Sequence, residues 1–308
     1  MGEERENGHE HIDEAASGML VTAVSDALGR EDAEEVRKLV GELRAPDLAE
    51  VIELLAPDER VELIQALGSS FDYEVFSEID ESVRDQLSEA LPNELLAKAV
   101  TELQTDDAAY LIENLEESDK QEILAQLPSE DRQAIERNLE YPEETAGRLM
   151  QSDFVAVPPF WTVGHVIDYM RETDELPDHF SAIFVVDPSF RVLGSVDLSR
   201  LLRTKRDVKV AAIMDTERHM VLATEDQEEL ARQFKRYDLM SAPVVDAHNR
   251  LVGVVTVDDV VEIIQDEAEE DMKALAGVGD ESLGDSVLVT VRSRVPWLIV
   301  NLGTAFMA

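Results

Sequence analysis

The second half of the chain contains the same short phrase twice. In each copy an apolar run ends in Val-Val-Asp, and a short gap is followed by arginine, two apolar residues and glycine. Gly194 recurs as Gly253, and 253 − 194 gives a spacing of 59. Each copy predicts the order strand, helix, strand, tight turn, strand, helix. Because neither copy has enough core alone, we expect the two sheets to bury each other.

Composition excludes several classes of protein. The chain has 68 acidic and 27 basic residues, a net charge of −41, yet 44% of it is hydrophobic. This apolar content is too high for an acidic disordered chain, and the charge would repel nucleic acid. The absence of cysteine excludes disulfides, thiolate nucleophiles and cysteine-based zinc sites. No phosphate loop of Walker type, Ser/His/Asp pattern or His-x-x-x-His pair is present, so we expect no enzyme.

The first half of the chain has the apolar spacing of short helices. Residues 1–12 are polar and predict a disordered tail, whereas residues 13–140 have apolar side chains at steps of three and four. Pro57, Pro92 and Pro128 stand 35 and 36 residues apart, each followed by acidic residues that suit a helix start. This spacing predicts stacked helical units, that is, an all-helical solenoid.

The end of the chain is apolar. We expect residues 267–295 to form a connecting helix and residues 296–308 to begin a membrane helix that is truncated here. Twelve residues from Trp297 span about 18 Å as a helix, less than the ~30 Å hydrocarbon core. Arg292 and Arg294 precede the tryptophan, as a positive-inside flank would. An ordinary buried helix is the alternative.

The duplicated phrase resembles a tandem of CBS domains, here residues 141–208 and 209–266, because Gly-x-x-Thr-x-x-Asp closes the second copy. With the helical solenoid before it and the apolar end after it, the chain is similar to the cytosolic region of MgtE-family magnesium channels. The resemblance implies an α plus α/β fold, with a helical solenoid, a CBS pair, a connecting "plug" helix and the truncated membrane helix. It also implies a homodimer through the CBS domains, a membrane pore domain as partner, and a cell-membrane location with residues 1 to about 295 on the cytoplasmic side.

Acidic residues are the candidate metal ligands. On the helix after Thr256, acids fall along one arc, where like charges three and four apart destabilise the helix unless it is solvated or holds a cation. The resemblance implies that Mg²⁺, a hard ion that prefers carboxylates and water, is bound at or beside Glu74, Asp106, Asp226, Glu228, Asp238, Asp259, Glu262, Glu267, Glu270 and Asp271. Two positions depart from the family: Tyr110 replaces an expected acid, and Arg148 replaces a glycine.

Three interpretations of the function remain open. In the first, Mg²⁺ bridges acids from different domains and favours a compact state that closes a pore. In the second, the CBS pair senses adenine nucleotides: the resemblance implies ATP, with Gly253, Thr256 and Asp259 in the motif that holds ribose. The first copy lacks this motif, since Asp197 and Arg200 take its threonine and aspartate positions, and Thr256 could equally be a simple helix cap. In the third, the acids only keep the protein soluble in high salt and bind no specific ion.

Overall fold

The computed structural model describes residues 14–173, 176–177, 179–216 and 219–276. The chain divides between Leu139 and Glu140 into two compact units. The predicted tail at residues 1–12 and the predicted membrane segment at 296–308 lie outside the described residues. The predicted class, a helical domain followed by paired mixed sheets, is confirmed.

The first unit is helical throughout its described part. Its helices pack around one apolar core that runs from Val24 to Ile135. They are α1 (Glu14–Leu28), α2 (Ala33–Val40), α3 (Ala45–Leu54), α4 (Pro57–Leu67), α5 (Val75–Glu78), α6 (Glu81–Ala90), α7 (Asn93–Glu102), α8 (Thr105–Ile112), α9 (Glu117–Leu124) and α10 (Ser129–Leu139).

A leucine or isoleucine recurs every twelve residues along this unit, at or just after the end of a helix. The series is Leu43, Leu55, Leu67, Ile79, Leu91, Leu103, Leu115, Leu127 and Leu139. Where such a residue directly follows a helix, as Leu55, Ile79, Leu91 and Leu103 do, its backbone is extended. Every member of the series packs into the core or against it. The spacing of 35 and 36 residues between the prolines therefore corresponds to three of these twelve-residue steps.

Arg60 on α4 ties three helices together. Its Nε donates to the carbonyl oxygens of Ile52 at 3.0 Å and Leu55 at 3.1 Å, and one terminal nitrogen donates to Glu53 O at 2.9 Å. The other terminal nitrogen donates to Gln86 Oε1 on α6 at 2.6 Å. The last carbonyls of a helix lack partners within that helix. Arg60 therefore caps α3 from outside and links it to α6.

The second unit contains two copies of one motif. The first is β1 (Ala156–Val157), α11 (Val163–Glu172), β2 (Ala182–Val186), β3 (Val192–Asp197) and α12 (Leu198–Leu202). The second is β4 (Val221–Leu222), α13 (Gln227–Tyr237), β5 (Ser241–Val245), β6 (Leu251–Thr256) and α14 (Val257–Ala276). Each sheet pairs a parallel strand with an antiparallel hairpin. Apolar residues from both sheets, Phe184 and Val254 among them, share one core, as the duplication predicts.

The two hairpin turns are built alike and pair with each other. Asp187 and Asp246 each accept hydrogen bonds from two backbone N–H groups of their own turn. Arg191 and Arg250, which follow these turns, face each other in an antiparallel bridge between the copies. The hairpins therefore join the two sheets at their tips.

The last described helix passes through a predicted domain boundary. We expected the second CBS domain to end at residue 266, yet α14 continues without interruption to Ala276. Residues 277–308, which hold most of the predicted connecting helix, lie outside the described residues. Within the described ranges, no helix is long and apolar enough to cross a bilayer.

Candidate functional site

The start of α14 carries the predicted nucleotide motif of the second copy. Asp259 Oδ2 accepts hydrogen bonds from the Thr256 hydroxyl at 2.8 Å, the Thr256 N–H at 3.1 Å and the Gln151 amide at 3.3 Å. A Cβ on Gly253 would lie 2.7 Å from Met150 Sδ and 2.9 Å from Gln151 O. The glycine is therefore needed for close backbone packing, and the carboxylate is directed back at its own helix end.

Burial raises the pKa of Asp259 to about 6, although the hydrogen bonds from Thr256 lower it. The folded protein therefore binds this proton more tightly than the unfolded chain, and the group's contribution to stability falls as pH rises from about 4 to about 6. A shift of this size in a fully buried group would lower the unfolding free energy at neutral pH by its full value. Because Asp259 is partly exposed, we expect a smaller loss of unfolding free energy, about 1–2 kcal/mol.

Asp259→Asn keeps an acceptor oxygen and should raise the unfolding free energy by about 1 kcal/mol at pH 7.5.

Urea denaturation at pH 5.0 and 7.5 measures this difference, and the gain should be smaller at pH 5.0. Exposed Asp207 offers a control, since Asp207→Asn removes the same charge without removing a buried carboxylate. If the two substitutions change the unfolding free energy equally at both pH values, the buried carboxylate of Asp259 does not destabilise the protein.

The equivalent helix start in the first copy is arranged differently. Asp197 precedes α12 and makes no side-chain bond to the helix end, and Arg200 occupies the position that corresponds to Asp259. Both residues line a cavity of about 550 Å³ within the second unit. Asp215, His219 and Asp238 also line it. Neither Thr256 nor Asp259 does.

The three candidate ligands on α13 do not form one site. Asp226 precedes the helix and accepts a hydrogen bond from the Glu228 N–H at 3.0 Å. The Glu228 carboxylate forms an ion pair with Arg232. Asp238 follows the last residue of this 11-residue helix, about 18 Å from Asp226 along the helix axis. One ion cannot contact Asp226 and Asp238 together.

The remaining candidates fall at several places. Glu74 is exposed at the start of α5. Burial raises the pKa of Glu78, and the charge of Glu74 raises it further. Asp106 is buried in the first turn of α8. Glu262 is exposed on α14. The side chains of Glu267, Glu270 and Asp271 lie outside the described residues.

Within the part of the chain that the structure describes, no three acids or histidines are grouped so that they could hold a metal ion. The two departures from the family pattern are both in ordered helical or turn structure. Tyr110 lies on α8 with the Arg84 guanidinium 5.5 Å from its ring centre, and Arg148 is buried at the start of the second unit.

Sequence reasoning missed Gln151 and the cavity. Gln151 exchanges backbone hydrogen bonds with Val254, a contact across about a hundred residues that no local pattern indicates. For the cavity, the sequence does contain a signal, because Asp197 and Arg200 depart from the nucleotide motif at its threonine and aspartate positions. Taken alone, that departure indicates only that the first copy lacks the nucleotide site of the motif.

Comparison with known families agrees with this architecture. The family described as the MgtE intracellular N domain matches residues 43–144. The CBS domain family matches twice, at residues 146–207 and 210–266. The two families thus cover the helical unit and the two copies of the duplicated motif.

Curated relatives and solved structures give the same result. The magnesium transporter MgtE of Thermus thermophilus is 30% identical over 94% of this chain and 65% of its own length. That of Bacillus subtilis is 28% identical over 87% and 60%. The chain therefore spans about 60 to 65% of these relatives.

A crystal structure described as the cytosolic domain of the Mg²⁺ channel MgtE in complex with ATP superposes with a TM-score of 0.71 at 30% identity, covering 79% of this chain and 99% of that one. A second, described as the soluble part of a magnesium transporter, gives a TM-score of 0.69 at 26% identity, covering 82% and 99%. The chain therefore belongs to the MgtE family, of which it carries the intracellular N domain and the pair of CBS domains.

Proposed function

We propose that this chain is the cytosolic Mg²⁺-sensing region of a magnesium channel or transporter. In this proposal Mg²⁺ is held by acids from different domains and favours a compact state that closes the pore. The pore domain lies in the cell membrane, and residues 1 to about 295 lie on its cytoplasmic side. The observation that carries the proposal is the match to the MgtE cytosolic domain over nearly the whole of that domain.

The charges of the described acids support this mechanism. Two carboxylates 4 Å apart repel each other by about 4 kcal/mol at an effective dielectric constant near 20. Within the first unit, burial raises the pKa of Glu78 and the nearby charge of Glu74 raises it further. A divalent ion removes the repulsion only in the state that brings acids together, so binding shifts the population toward that state. Asp226 and Asp238 lie at opposite ends of α13, so the proposal requires more than one ion.

Small-angle scattering and limited proteolysis across 0–20 mM Mg²⁺ test the proposal. We expect the radius of gyration to fall and protease-sensitive bonds to become protected. The triple variant Asp226→Asn, Glu228→Gln, Asp238→Asn should lose this response. A matched triple variant at exposed acids elsewhere, Glu89→Gln, Glu172→Gln and Asp207→Asn, should keep it. If both variants respond alike, or if the wild type does not respond, the acids serve only solubility.

Adenine-nucleotide binding by the CBS pair is a second candidate function. It is supported by the cavity in the second unit and by the related cytosolic domain that was crystallised with ATP. The close packing at Gly253 and the bonds within the Thr256–Asp259 pair favour the first copy over the second as the location. Calorimetric titration with ATP tests this function directly.

Dimerisation through the CBS domains is also proposed. Val261 and Ile264 lie three residues apart on α14, and their side chains are 47% and 44% exposed. Burying them against a second copy would remove apolar surface from water. Light scattering of the wild type and of Val261→Asp would show whether the dimer exists and whether it uses this face.

A further inference from the structure

The first copy of the duplicated motif carries a basic region on a strongly acidic chain. Residues 158–172 and 198–212 together hold six arginines and lysines against three acids, a net charge of +3, whereas the whole chain has a net charge of −41. The two segments lie side by side, since the Gly164 N–H donates to the carbonyl oxygen of Arg206 at 2.8 Å. Their bases therefore share one region of the second unit.

Three bases of this region have no acid as a partner. Arg203, Lys205 and Lys209 are exposed, and within the described ranges none of them forms an ion pair. The Asp168 carboxylate on α11 is already held by Arg206, whose guanidinium donates to both of its oxygens and lowers its pKa. The three bases are therefore free to bind an anionic partner from outside.

Two large apolar side chains are exposed beside these bases. Leu202 ends α12 directly before Arg203 and is 62% exposed, and Phe160 precedes α11 and is 67% exposed. Phe160 lies next to the pairing of the two segments, where Lys209 faces Thr162 in an antiparallel bridge. In segments that lie on a bilayer, apolar side chains enter the interface while lysine and arginine meet the anionic headgroups. The combination here has the same chemistry.

The charges narrow the choice of partner for this basic surface, which we define as Phe160, Leu202, Arg203, Lys205 and Lys209. A two-fold contact between copies would place the surface against itself, so its bases would repel one another. An acidic peptide would match the bases but leave the apolar side chains exposed. A bilayer is flat and touches one face only, and salt screens it from acids more than about 8 Å away.

We propose that the basic surface binds the anionic headgroups of a lipid bilayer. Its three bases pair with headgroup phosphates, and Phe160 and Leu202 enter the boundary between headgroups and acyl chains. The proposal rests on the proposed function only for the location of the chain on the cytoplasmic side of a membrane. The first CBS domain then attaches the chain to the membrane at a place separate from the pore domain.

Vesicle flotation tests this binding on the full chain in metal-free buffer at about 0.1 M salt. Vesicles of phosphatidylcholine alone are compared with vesicles in which about one third of the lipid is anionic phosphatidylglycerol. The apolar end of the chain can bind both kinds, so the measured quantity is the ratio of the two partition coefficients. We expect a preference of at least about tenfold for the anionic vesicles.

The triple variant Arg203→Gln, Lys205→Gln, Lys209→Gln should lose this preference. Each base near an anionic membrane strengthens partitioning by about fivefold, so the three together account for about a hundredfold. Circular dichroism verifies that the variant is folded. A matched triple variant at exposed bases of the helical unit should keep the preference of the wild type: Arg30→Gln, Arg37→Gln and Lys98→Gln.

A double variant, Phe160→Ser with Leu202→Ser, distinguishes insertion from attraction between charges alone. It should bind anionic vesicles about tenfold more weakly than the wild type, because two apolar side chains no longer leave water. Its binding to soluble polyglutamate should be unchanged. In a chain with Trp297→Phe, energy transfer from Trp161 to labelled headgroups should show that the first copy itself lies at the membrane.

The outcomes that overturn the proposal are distinct from those that concern Mg²⁺. An absent preference for anionic vesicles, or an unchanged affinity of the triple or double variant, overturns it. Tighter binding of polyglutamate than of anionic vesicles identifies an acidic protein as the partner and also overturns it. So does loss of a dimer in the triple variant by light scattering without lipid, which identifies a contact between copies. Mg²⁺ sensing is decided separately by the scattering experiment, which contains no lipid.

Discussion

Gly194→Ala should lower the unfolding free energy of the second unit by about 3 kcal/mol, corresponding to a fall in Tm of roughly 6 to 12 °C. A Cβ at this position would lie 2.2 Å from the carbonyl oxygen of Asp215. That oxygen accepts a hydrogen bond from the Ser195 N–H, and Ser195 accepts one in return. The added methyl group can fit only if the segment at Asp215 moves and this pair of bonds is lost.

Urea denaturation followed by tryptophan fluorescence measures the effect, because both tryptophans, Trp161 and Trp297, follow residue 140. Gly253→Ala should lower the unfolding free energy by less than Gly194→Ala does. Two of the three atoms nearest to the added Cβ belong to the Met150 side chain, which can move. Gly18→Ala on an exposed face of α1 meets nothing within 4 Å and should stabilise its helix by up to about 1 kcal/mol. A loss below 1 kcal/mol for Gly194→Ala would contradict the close approach.

Arg60→Ala should destabilise the helical unit by about 2–3 kcal/mol. The substitution leaves three carbonyl oxygens at the end of α3 without their donor, and it removes the link to Gln86 on α6. Leaving partly buried acceptors without partners costs about 1–3 kcal/mol. Burial lowers the pKa of Arg60, whose side chain is half-buried.

Circular dichroism follows this unfolding transition, because the first unit contains most of the described helices and no tryptophan. Arg44 provides the control: it is exposed and forms one ion pair with Asp47 at 3.7 Å, so Arg44→Ala should cost less than 0.5 kcal/mol. The loss of unfolding free energy in Arg60→Lys should lie between those of Arg60→Ala and Arg44→Ala, since a single ammonium group cannot reach all four acceptors. Similar losses for Arg60→Ala and Arg44→Ala would show that Arg60 does not cap α3.

Much of the fold follows from local sequence patterns. The repeated Val-Val-Asp phrase predicts the two hairpins because the aspartate accepts backbone hydrogen bonds within its own turn, a short-range interaction. The helical unit follows from apolar spacing and from prolines near helix starts. Its twelve-residue register was also present in the sequence, but the prolines mark only every third step and so indicated a longer period.

The candidate site depends on contacts that sequence patterns do not encode. Asp259 was expected on an acidic helix face, yet Gln151, about a hundred residues earlier, helps to hold its carboxylate against the helix start. The separation of Asp226 from Asp238 follows from the length of α13 and could have been predicted once that helix was assigned. Which acids share an ion stays a prediction, because it depends on how separate parts of the molecule meet.

The constant step between Leu43 and Leu139 also determines how the helical unit can change in length. Removing twelve residues that begin just after one of these leucines leaves every later member of the series at a helix end facing the core. Removing one residue instead rotates the following helix by about 100° and turns its apolar face away. Length differences among proteins that share this unit should therefore occur in increments of one helix, while the exposed turn residues vary freely.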